Sequence, residues 1–573
     1  MKKIKQNYLS SMIIAAVFLS SCGGLNKMVD NANSVTYDVT PSPLVTNAGQ
    51  VEVTIKTTFP EKYFNKKAVV VATPVLKYEG GQVAFEPTTL QGESVEANNK
   101  VIPYAGGNYT YTGKVAYNDS MLKSELVVEM SASIKDKAPV PIPGIKIADG
   151  VIATSTLVEN DPKTVLVGDK FQRVIPQDYT AQILYLINRA EVRNNQLKKE
   201  DIKDLQDKIK QAVADSNKVL KNADISAYAS PDGPYDFNAK LADKRKTSAE
   251  RYFDKTLKKD KFKNITSENF LKLLSTPEDR EGFKKLVEES NIQDKELILR
   301  VLSMYSDPAV REKEIKNMAA AYTQLKETIL PKLRRAKFTV SIDSIGHSDA
   351  EIAELAKTDP DSLNKEEILY AATLTNDMDQ KLAIYQAAAR HFPNSFRANN
   401  NVGYIYMQMG KTDDAKAAFE KAKAIEDNDV IKNNLGAVAL KEGDIATAEN
   451  LFTAAMGAGD VVNYNLGIIK IKQGDYNAAV NYFGNTPSFN AALAQLLNGN
   501  TEQAINTLGA VKSDDAMVDY LKAVAGARNG KEDMVLNNLR AAVGKDASLK
   551  AYASKDLEFA KFSSSEAFQG IVK

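Results

Sequence analysis

The sequence predicts a multidomain protein with three folded parts: an N-terminal all-β sandwich, a central α/β domain with a helical insertion, and a C-terminal all-α solenoid. Three observations predict this organisation. Apolar and polar residues alternate over residues 35–172, strand and helix patterns alternate over 173–345, and one helical pattern recurs over 362–546. A chain of 573 residues is long enough for three or so domains.

The first 21 residues have the composition of an export signal. Three lysines among the first five residues precede an apolar core, Met12–Leu19, which is too short to span a bilayer alone. The sequence Leu-Ser-Ser-Cys then ends at Cys22, the only cysteine of the chain. We therefore expect residues 1–21 to be a signal peptide.

The Leu-Ser-Ser-Cys stretch resembles the lipobox of bacterial lipoproteins. The resemblance implies that the mature chain starts at Cys22, that this residue carries lipid, and that the lipid holds the protein at a membrane. Residues 22–34 would then be a lipidated tether. Acidic residues just after the cysteine would resemble inner-membrane retention or surface-export signals, and none follows Cys22 until Asp30. The resemblance therefore implies the periplasmic face of the outer membrane.

Short period-two runs separated by Gly, Pro and Asn are typical of a β-sandwich. They predict one all-β domain over residues 35–172, of immunoglobulin-like type, which serves as a spacer or a docking module. The runs are Val51–Ile55, Val69–Thr73, Tyr109–Val115 and Leu126–Met130.

The central domain, residues 173–345, contains a strand that ends at the turn Pro231-Asp232-Gly233 and a helix that follows. A helix N-terminus beside such a turn is suited to bind a small anionic group. Residues 260–328 add a helical insertion whose role the sequence does not indicate.

Two blocks of this strand and helix resemble the core motif of OmpA-like peptidoglycan-binding domains: Ala-Tyr-Ala-Ser, ending at Ser230, and Asn238-Ala-Lys-Leu-Ala-Asp-Lys-Arg245. The resemblance implies that Arg245 binds a carboxylate of the wall stem peptide and that Asn238 orders the loop. Ser230 and Asp232 would line the pocket. Ser230 stands where the family has Asp, and a neutral hydroxyl cannot pair with an ammonium group as a carboxylate does. The ligand can therefore differ from that of the family.

The sequence Gly-His-Ser-Asp at 346–349 matches the first block of that motif more closely. It lacks the Asn and Arg that should follow at the family's spacing. We interpret it as a turn within a linker, residues 346–361.

Residues 362–546 are self-similar. Glycines at positions 403, 436 and 467 each stand seven residues before a turn glycine, and an alanine and a phenylalanine follow at fixed distances. This pattern resembles the tetratricopeptide repeat, in which small residues allow two helices to cross closely and an aromatic ring fills the gap to the next pair. Residues 547–573 would cap the array. The phenylalanines are Phe419, Phe452 and Phe483.

Polar residues cluster on the first helices of three consecutive repeats, where such arrays form a concave groove. Family members use Asn with Lys or Arg in this groove to bind the C-terminal carboxylate of a peptide. The alternatives are generic protein docking and a purely structural role for these asparagines. The candidates are Arg397, Asn400, Asn401, Asn433, Asn434 and Asn465.

We find no catalytic, cofactor-binding or metal-binding motif. His347 and His391 are far apart in the sequence and match no metal or triad spacing. The 74 basic and 73 acidic residues nearly cancel, which gives no indication of a nucleic-acid partner.

The sequence thus predicts a non-catalytic outer-membrane lipoprotein scaffold. It would contact peptidoglycan through the OmpA-like domain and recruit an unidentified envelope protein through the repeat groove. The alternative is an accessory subunit of an envelope secretion or outer-membrane assembly machine, in which the OmpA-like domain docks protein rather than cell wall.

Overall fold

The computed structural model describes residues 24–259, 270–292 and 294–573. The predicted signal peptide and Cys22 lie outside the described residues. The chain divides into two compact units. One combines the chain up to Val167 with Pro393–Lys573, and the other is Gly168–Phe392.

The β domain of the first unit consists of two sheets that share one apolar core. Side chains alternate along each strand, so that Val51, Val53 and Ile55 point inward while Glu52 and Lys56 face solvent. Its elements are helix α1 (Asn26–Asp30) and strands β1 (Thr36–Thr40), β2 (Thr46–Asn47), β3 (Gln50–Phe59), β4 (Val69–Tyr78), β5 (Gly81–Ala84), β6 (Thr88–Gly92), β7 (Lys100–Ile102), β8 (Gly107–Ala116), β9 (Ser124–Ser133) and β10 (Val140–Gly150).

Both ends of this domain differ from the sequence prediction. The described part of the predicted tether is folded, because Leu25, Met28 and Ala32 are buried in the β-domain core. At the other end the last strand stops at Gly150, and residues 159–167 make hydrogen bonds with the repeat helices.

The second unit contains a four-stranded mixed sheet in the order β11-β14-β12-β13. Helices α3 and α4 contribute their apolar faces to the core of this sheet. The elements are β11 (Val174–Leu184), α2 (Asn194–Leu197), α3 (Glu200–Ala214), β12 (Lys218–Tyr228), α4 (Tyr235–Lys259), β13 (Leu271–Thr276), α5 (Arg280–Glu288), α6 (Lys295–Met304), α7 (Pro308–Asn317), α8 (Ala319–Thr328), α9 (Leu330–Leu333), β14 (Arg335–Ile345), α10 (Asp349–Thr358), α11 (Lys365–Ala371) and α12 (Met378–His391).

Two boundaries in this unit also need correction. Residues 271–276, predicted to lie in the helical insertion, form β13, which pairs in parallel with β12. The predicted linker 346–361 contains α10, because Ser348 and Glu351 form a reciprocal capping box at its start.

The rest of the first unit is an array of antiparallel helix pairs. In each of three pairs a glycine lies directly against the ring of a phenylalanine. A Cβ atom on Gly436 would lie 2.7 Å from Cε1 of Phe452, so only glycine allows this approach. The helices are α13 (Phe396–Gln408), α14 (Thr412–Ile425), α15 (Asp429–Glu442), α16 (Ile445–Thr453), α17 (Asp460–Lys472), α18 (Tyr476–Phe483), α19 (Phe489–Leu497), α20 (Thr501–Ala510), α21 (Ala516–Arg528), α22 (Glu532–Lys545), α23 (Leu549–Ala553) and α24 (Glu566–Val572).

Candidate functional site

Four asparagines, which we call the asparagine ladder, lie on the first helices of four successive pairs. All four are at most 1% exposed. A buried amide destabilises the fold unless its donors and acceptor are hydrogen-bonded, so each of these side chains needs partners. The ladder consists of Asn401 on α13, Asn434 on α15, Asn465 on α17 and Asn490 on α19.

The partners come from the chain itself. Residues Glu159–Val167, which we call the groove segment, run along the ladder, and one residue is paired with each asparagine through both its N–H and its C=O. Residues 163, 165 and 167 are contacted in turn, which is the period of an extended chain. The pairs are Val167 with Asn401 (N–H to Oδ1 2.9 Å, Nδ2 to O 2.8 Å), Val165 with Asn434 (2.7 and 2.8 Å), Lys163 with Asn465 (2.7 and 2.9 Å) and Glu159 with Asn490 (2.9 and 2.9 Å).

Further amides connect the ladder from helix to helix. Asn434 Nδ2 donates to Asn400 Oδ1 at 2.8 Å, and Asn465 Nδ2 donates to Asn433 Oδ1 at 3.0 Å. Asn400 and Asn433 in turn donate to the carbonyls of the groove segment. A connected network of this kind rigidifies the site, because each amide orients the next.

The carboxylate of Asp161, in the groove segment, is recognised directly by side chains of the array. The Tyr464 hydroxyl donates to the two carboxylate oxygens of Asp161 at 2.9 and 3.0 Å, and Asn490 Nδ2 donates to Oδ1 at 3.1 Å. Burial and the charge of Asp161 raise the pKa of Tyr464, so this hydroxyl remains a donor at neutral pH. Lys163 Nζ lies 2.6 Å from Asp161 and over the Tyr464 ring. We call this group the acid subsite.

The β domain is attached to the array at two further points. Tyr476 OH donates to Asn47 Oδ1 at 2.9 Å. Thr154, which precedes the groove segment, donates to the buried carboxylate of Glu558, and Arg528 pairs with the same carboxylate. The β domain, the groove segment and the array are therefore bonded to one another within the first unit.

We expect Asn434→Ala to expose the groove segment to solvent exchange. The substitution leaves the Val165 N–H and Asn400 Oδ1 without their partners, at roughly 1–3 kcal/mol for each buried group. Amide exchange of residues 159–167 should then accelerate about 100-fold, as measured by mass spectrometry. Asn450→Ala, at an exposed position on α16, is the matched control and should leave exchange unchanged. Fast exchange of this segment in the unaltered protein would contradict the arrangement.

The predicted wall-binding residues of the central domain also lie together. Arg334 Nη2 lies 3.1 Å from Asp232 Oδ2, and its Nε donates to Ser230 Oγ at 3.2 Å. Asn238 Nδ2 donates to the carbonyls of Ser230 and Gly233, at 3.0 and 2.9 Å. The carboxylate of Asp232 is thus already neutralised by an arginine of the same domain.

Arg245 is fully buried, with 0% exposure. Its guanidinium donates to the carbonyls of Arg189 (3.0 Å), Tyr228 (2.8 Å) and Leu186 (3.2 Å) and lies over the ring of Tyr185. Burial lowers its pKa to about 10, so the side chain is still charged at neutral pH. In this arrangement Arg245 joins the loop after β11 to the end of β12, and a ligand carboxylate has no access to it.

Sequence reasoning missed four parts of these sites. Asn490 is followed by Ala-Ala, whereas the other ladder asparagines are followed by Leu-Gly or Val-Gly, so its place in the repeat was not recognised. Tyr464 belongs to no sequence motif. The groove segment was assigned to the β domain. Arg334 is the first of two consecutive arginines at the start of β14, and that pair was the available signal. Arg397, a predicted groove residue, is buried near the start of α13.

The two histidines of the chain lie in separate ion pairs. His347 contacts Glu367 at 2.9 Å and His391 contacts Asp361, each in a separate pair. Over the described ranges, His, Cys, Asp and Glu side chains nowhere gather in a group of three or more that could bind a metal ion. None of the helices in the described part of the chain has the length and apolar character needed to cross a membrane.

Comparison with known proteins agrees with the helix pairs. The sequence profile of the tetratricopeptide repeat matches residues 396–429 and 461–484. The C-terminal region therefore contains tetratricopeptide repeats. No curated protein matches the chain in sequence.

Solved structures of repeat proteins resemble parts of the chain. Pseudomonas aeruginosa PilF is 16% identical, with 38% of this chain and 99% of PilF covered and a TM-score of 0.29. PilW, a widely conserved type IV pilus biogenesis factor, is 20% identical, with 40% and 100% covered and a TM-score of 0.28. YrrB, a tetratricopeptide protein with an unusual peptide-binding site, is 19% identical, with 36% and 100% covered and a TM-score of 0.21.

Proposed function

We propose that this protein is a non-catalytic scaffold of the bacterial envelope, in which the tetratricopeptide array is a rigid frame for the β domain. The observation that supports this proposal best is the asparagine ladder. It binds the connecting residues 159–167 by their main chain and so attaches the β domain to the array at several points. Tetratricopeptide arrays are typical protein-interaction scaffolds, and a rigid frame keeps docking modules at fixed distances.

The predicted lipid on Cys22 would attach this frame to the outer membrane, on its periplasmic face. Lipidation with more than one acyl chain gives stable membrane attachment. Tethering raises the effective concentration of partners near the membrane without any chemical step. The assignment to the envelope depends on the export signal and the lipobox.

For the OmpA-like domain we favour docking to protein over docking to cell wall. The charges that would recognise a wall peptide are used internally, since Asp232 pairs with Arg334 and Arg245 is buried. Tyr235 and Phe237, on the first turn of α4, are 51% and 47% exposed. Exposed aromatic residues are enriched at protein interfaces.

Sedimentation with purified peptidoglycan tests this preference. The full mature chain, made soluble by Cys22→Ser, should remain in the supernatant like a protein that does not bind the wall. The opposite result would support the peptidoglycan contact. In that case the chain would sediment with the wall, Asp232→Ala would abolish sedimentation, and Lys244→Ala, on the exposed side of α4, would not. A photo-crosslinker at position 237 should then form adducts with a protein in intact cells, and with cell wall if the preference is wrong.

A further inference from the structure

The groove segment is recognised mainly through its main chain. Among residues 159–167 only Pro162 is buried, and the other side chains are half-buried or exposed. None of them belongs to the apolar core of the array, whereas Leu157 and Val158, just before them, pack against it. An asparagine amide pairs with the N–H and C=O of any residue except proline, so the ladder tolerates many sequences.

The acid subsite adds one selective position to this main-chain recognition. Tyr464 and Asn490 both donate to the carboxylate of Asp161. A neutral side chain at position 161 would accept weaker hydrogen bonds from Tyr464 and Asn490, because hydrogen bonds to ionised groups are stronger than those to neutral groups. The groove therefore fits an extended segment with an acidic residue two positions before the residue bound by Asn465.

We propose that residues 159–167 are an internal ligand of the repeat groove and keep it closed to free peptides. This inference deepens the proposed scaffold function, since it names the groove's resident occupant. The occupant is covalently attached on the same chain, and such attachment gives an effective concentration on the order of millimolar. A free peptide of the same sequence at micromolar concentration cannot compete with it.

The test uses the full mature chain with Cys22→Ser and a fluorescent peptide that carries residues 157–168. Fluorescence anisotropy compares the unaltered chain with a variant in which Glu159, Lys163, Val165 and Val167 are all replaced by proline, which removes the four N–H groups that the ladder binds. The replaced variant should bind the peptide at least tenfold more tightly than the unaltered chain. Adding Asn434→Ala should remove this binding, and adding Asn450→Ala should not.

A second variant with a single substitution is included in case the first variant fails to fold. Val165→Pro removes the N–H that donates to Asn434 and keeps the rest of the chain. It should also increase peptide binding, and a peptide with Asp161→Asn should bind about tenfold more weakly than the native peptide.

Two results would overturn the proposal. One is equal binding of the peptide by the unaltered chain and by both opened variants. The other is absence of binding by opened variants whose helical circular dichroism is intact. These measurements use purified protein without membrane or wall, so their failure is distinct from failure of the envelope role.

Discussion

Phe452→Ala should lower the free energy of unfolding of the repeat array by about 3–5 kcal/mol, the usual range for removing a buried phenylalanine. The ring is 0% exposed and lies against Gly436, so its loss leaves a cavity where two helices cross. Chemical denaturation followed by circular dichroism measures the change. Ile425→Ala is the control, since this residue is 38% exposed at the end of α14. It should lower the free energy of unfolding by well under half as much as Phe452→Ala.

The same crossing can be tested from the opposite helix. Gly436→Ala places a methyl group 2.7 Å from Phe452 Cε1, so either the ring or the helix must move. Overpacking of this kind costs roughly 1–3 kcal/mol. A combined Gly436→Ala and Phe452→Ala variant should lose less than the sum of the single losses, because the added methyl group partly fills the cavity. Additive losses would show that the two residues do not share this contact.

Arg245→Met should destabilise the central domain by about 3–5 kcal/mol. The substitution keeps most of the side-chain length and leaves the carbonyls of Leu186, Arg189 and Tyr228 without their donor, at roughly 1–3 kcal/mol for each buried group. Arg245→Lys should restore only part of the loss, because one ammonium cannot reproduce the three directions of a guanidinium. Thermal unfolding measures all three proteins.

Arg251→Met is the matched control, since this residue lies on the same helix and is exposed. Its melting temperature should lie within about a degree of that of the unaltered protein, because surface substitutions usually change stability little. If Arg245→Met left the stability unchanged and altered ligand binding, the structural role would be contradicted. The prediction that Arg245 belongs to a wall-binding site would then be supported.

The parts of the fold that could be predicted are those with a local signal. Gly436 and Phe452 lie sixteen positions apart in a pattern that recurs, and each repeat supplies an independent copy of it. The tetratricopeptide region was therefore identified from sequence. Period-two alternation in strands such as β3 likewise predicted the β-rich region.

The errors at segment boundaries came from short signals. Leu25, Met28 and Ala32 have helical spacing over too few residues to distinguish a packed turn from a polar tether. Ser348 and Glu351 form a capping box, but Ser348 also belongs to the Gly-His-Ser-Asp stretch, whose likeness to a binding motif obscures the helix start. Strand β13 is a six-residue edge strand, and strands of this length have little signal of their own.

The groove segment could not have been found from sequence alone. Its contacts are made by main-chain atoms, which every residue has, so the segment resembles an ordinary connection between domains. Three of the four ladder asparagines, Asn401, Asn434 and Asn465, were identified as groove residues, yet their sequence does not indicate whether the bound peptide comes from a partner or from the same chain. The burial of Arg245 could not be predicted either, because a sequence motif gives the spacing of residues and does not show which backbone carbonyls surround a side chain.

The ladder also has a consequence for the order in which the chain can fold. Its bonds join residues separated by 234 to 331 positions. Contacts of such high order form late, and a chain is synthesised with its N-terminus first. The β domain can fold while the repeats are still being synthesised, but the contact between Glu159 and Asn490 must wait for α19. Full attachment of the β domain to the array thus requires synthesis through α19, and chains truncated before this helix would leave part of residues 159–167 exposed to proteolysis.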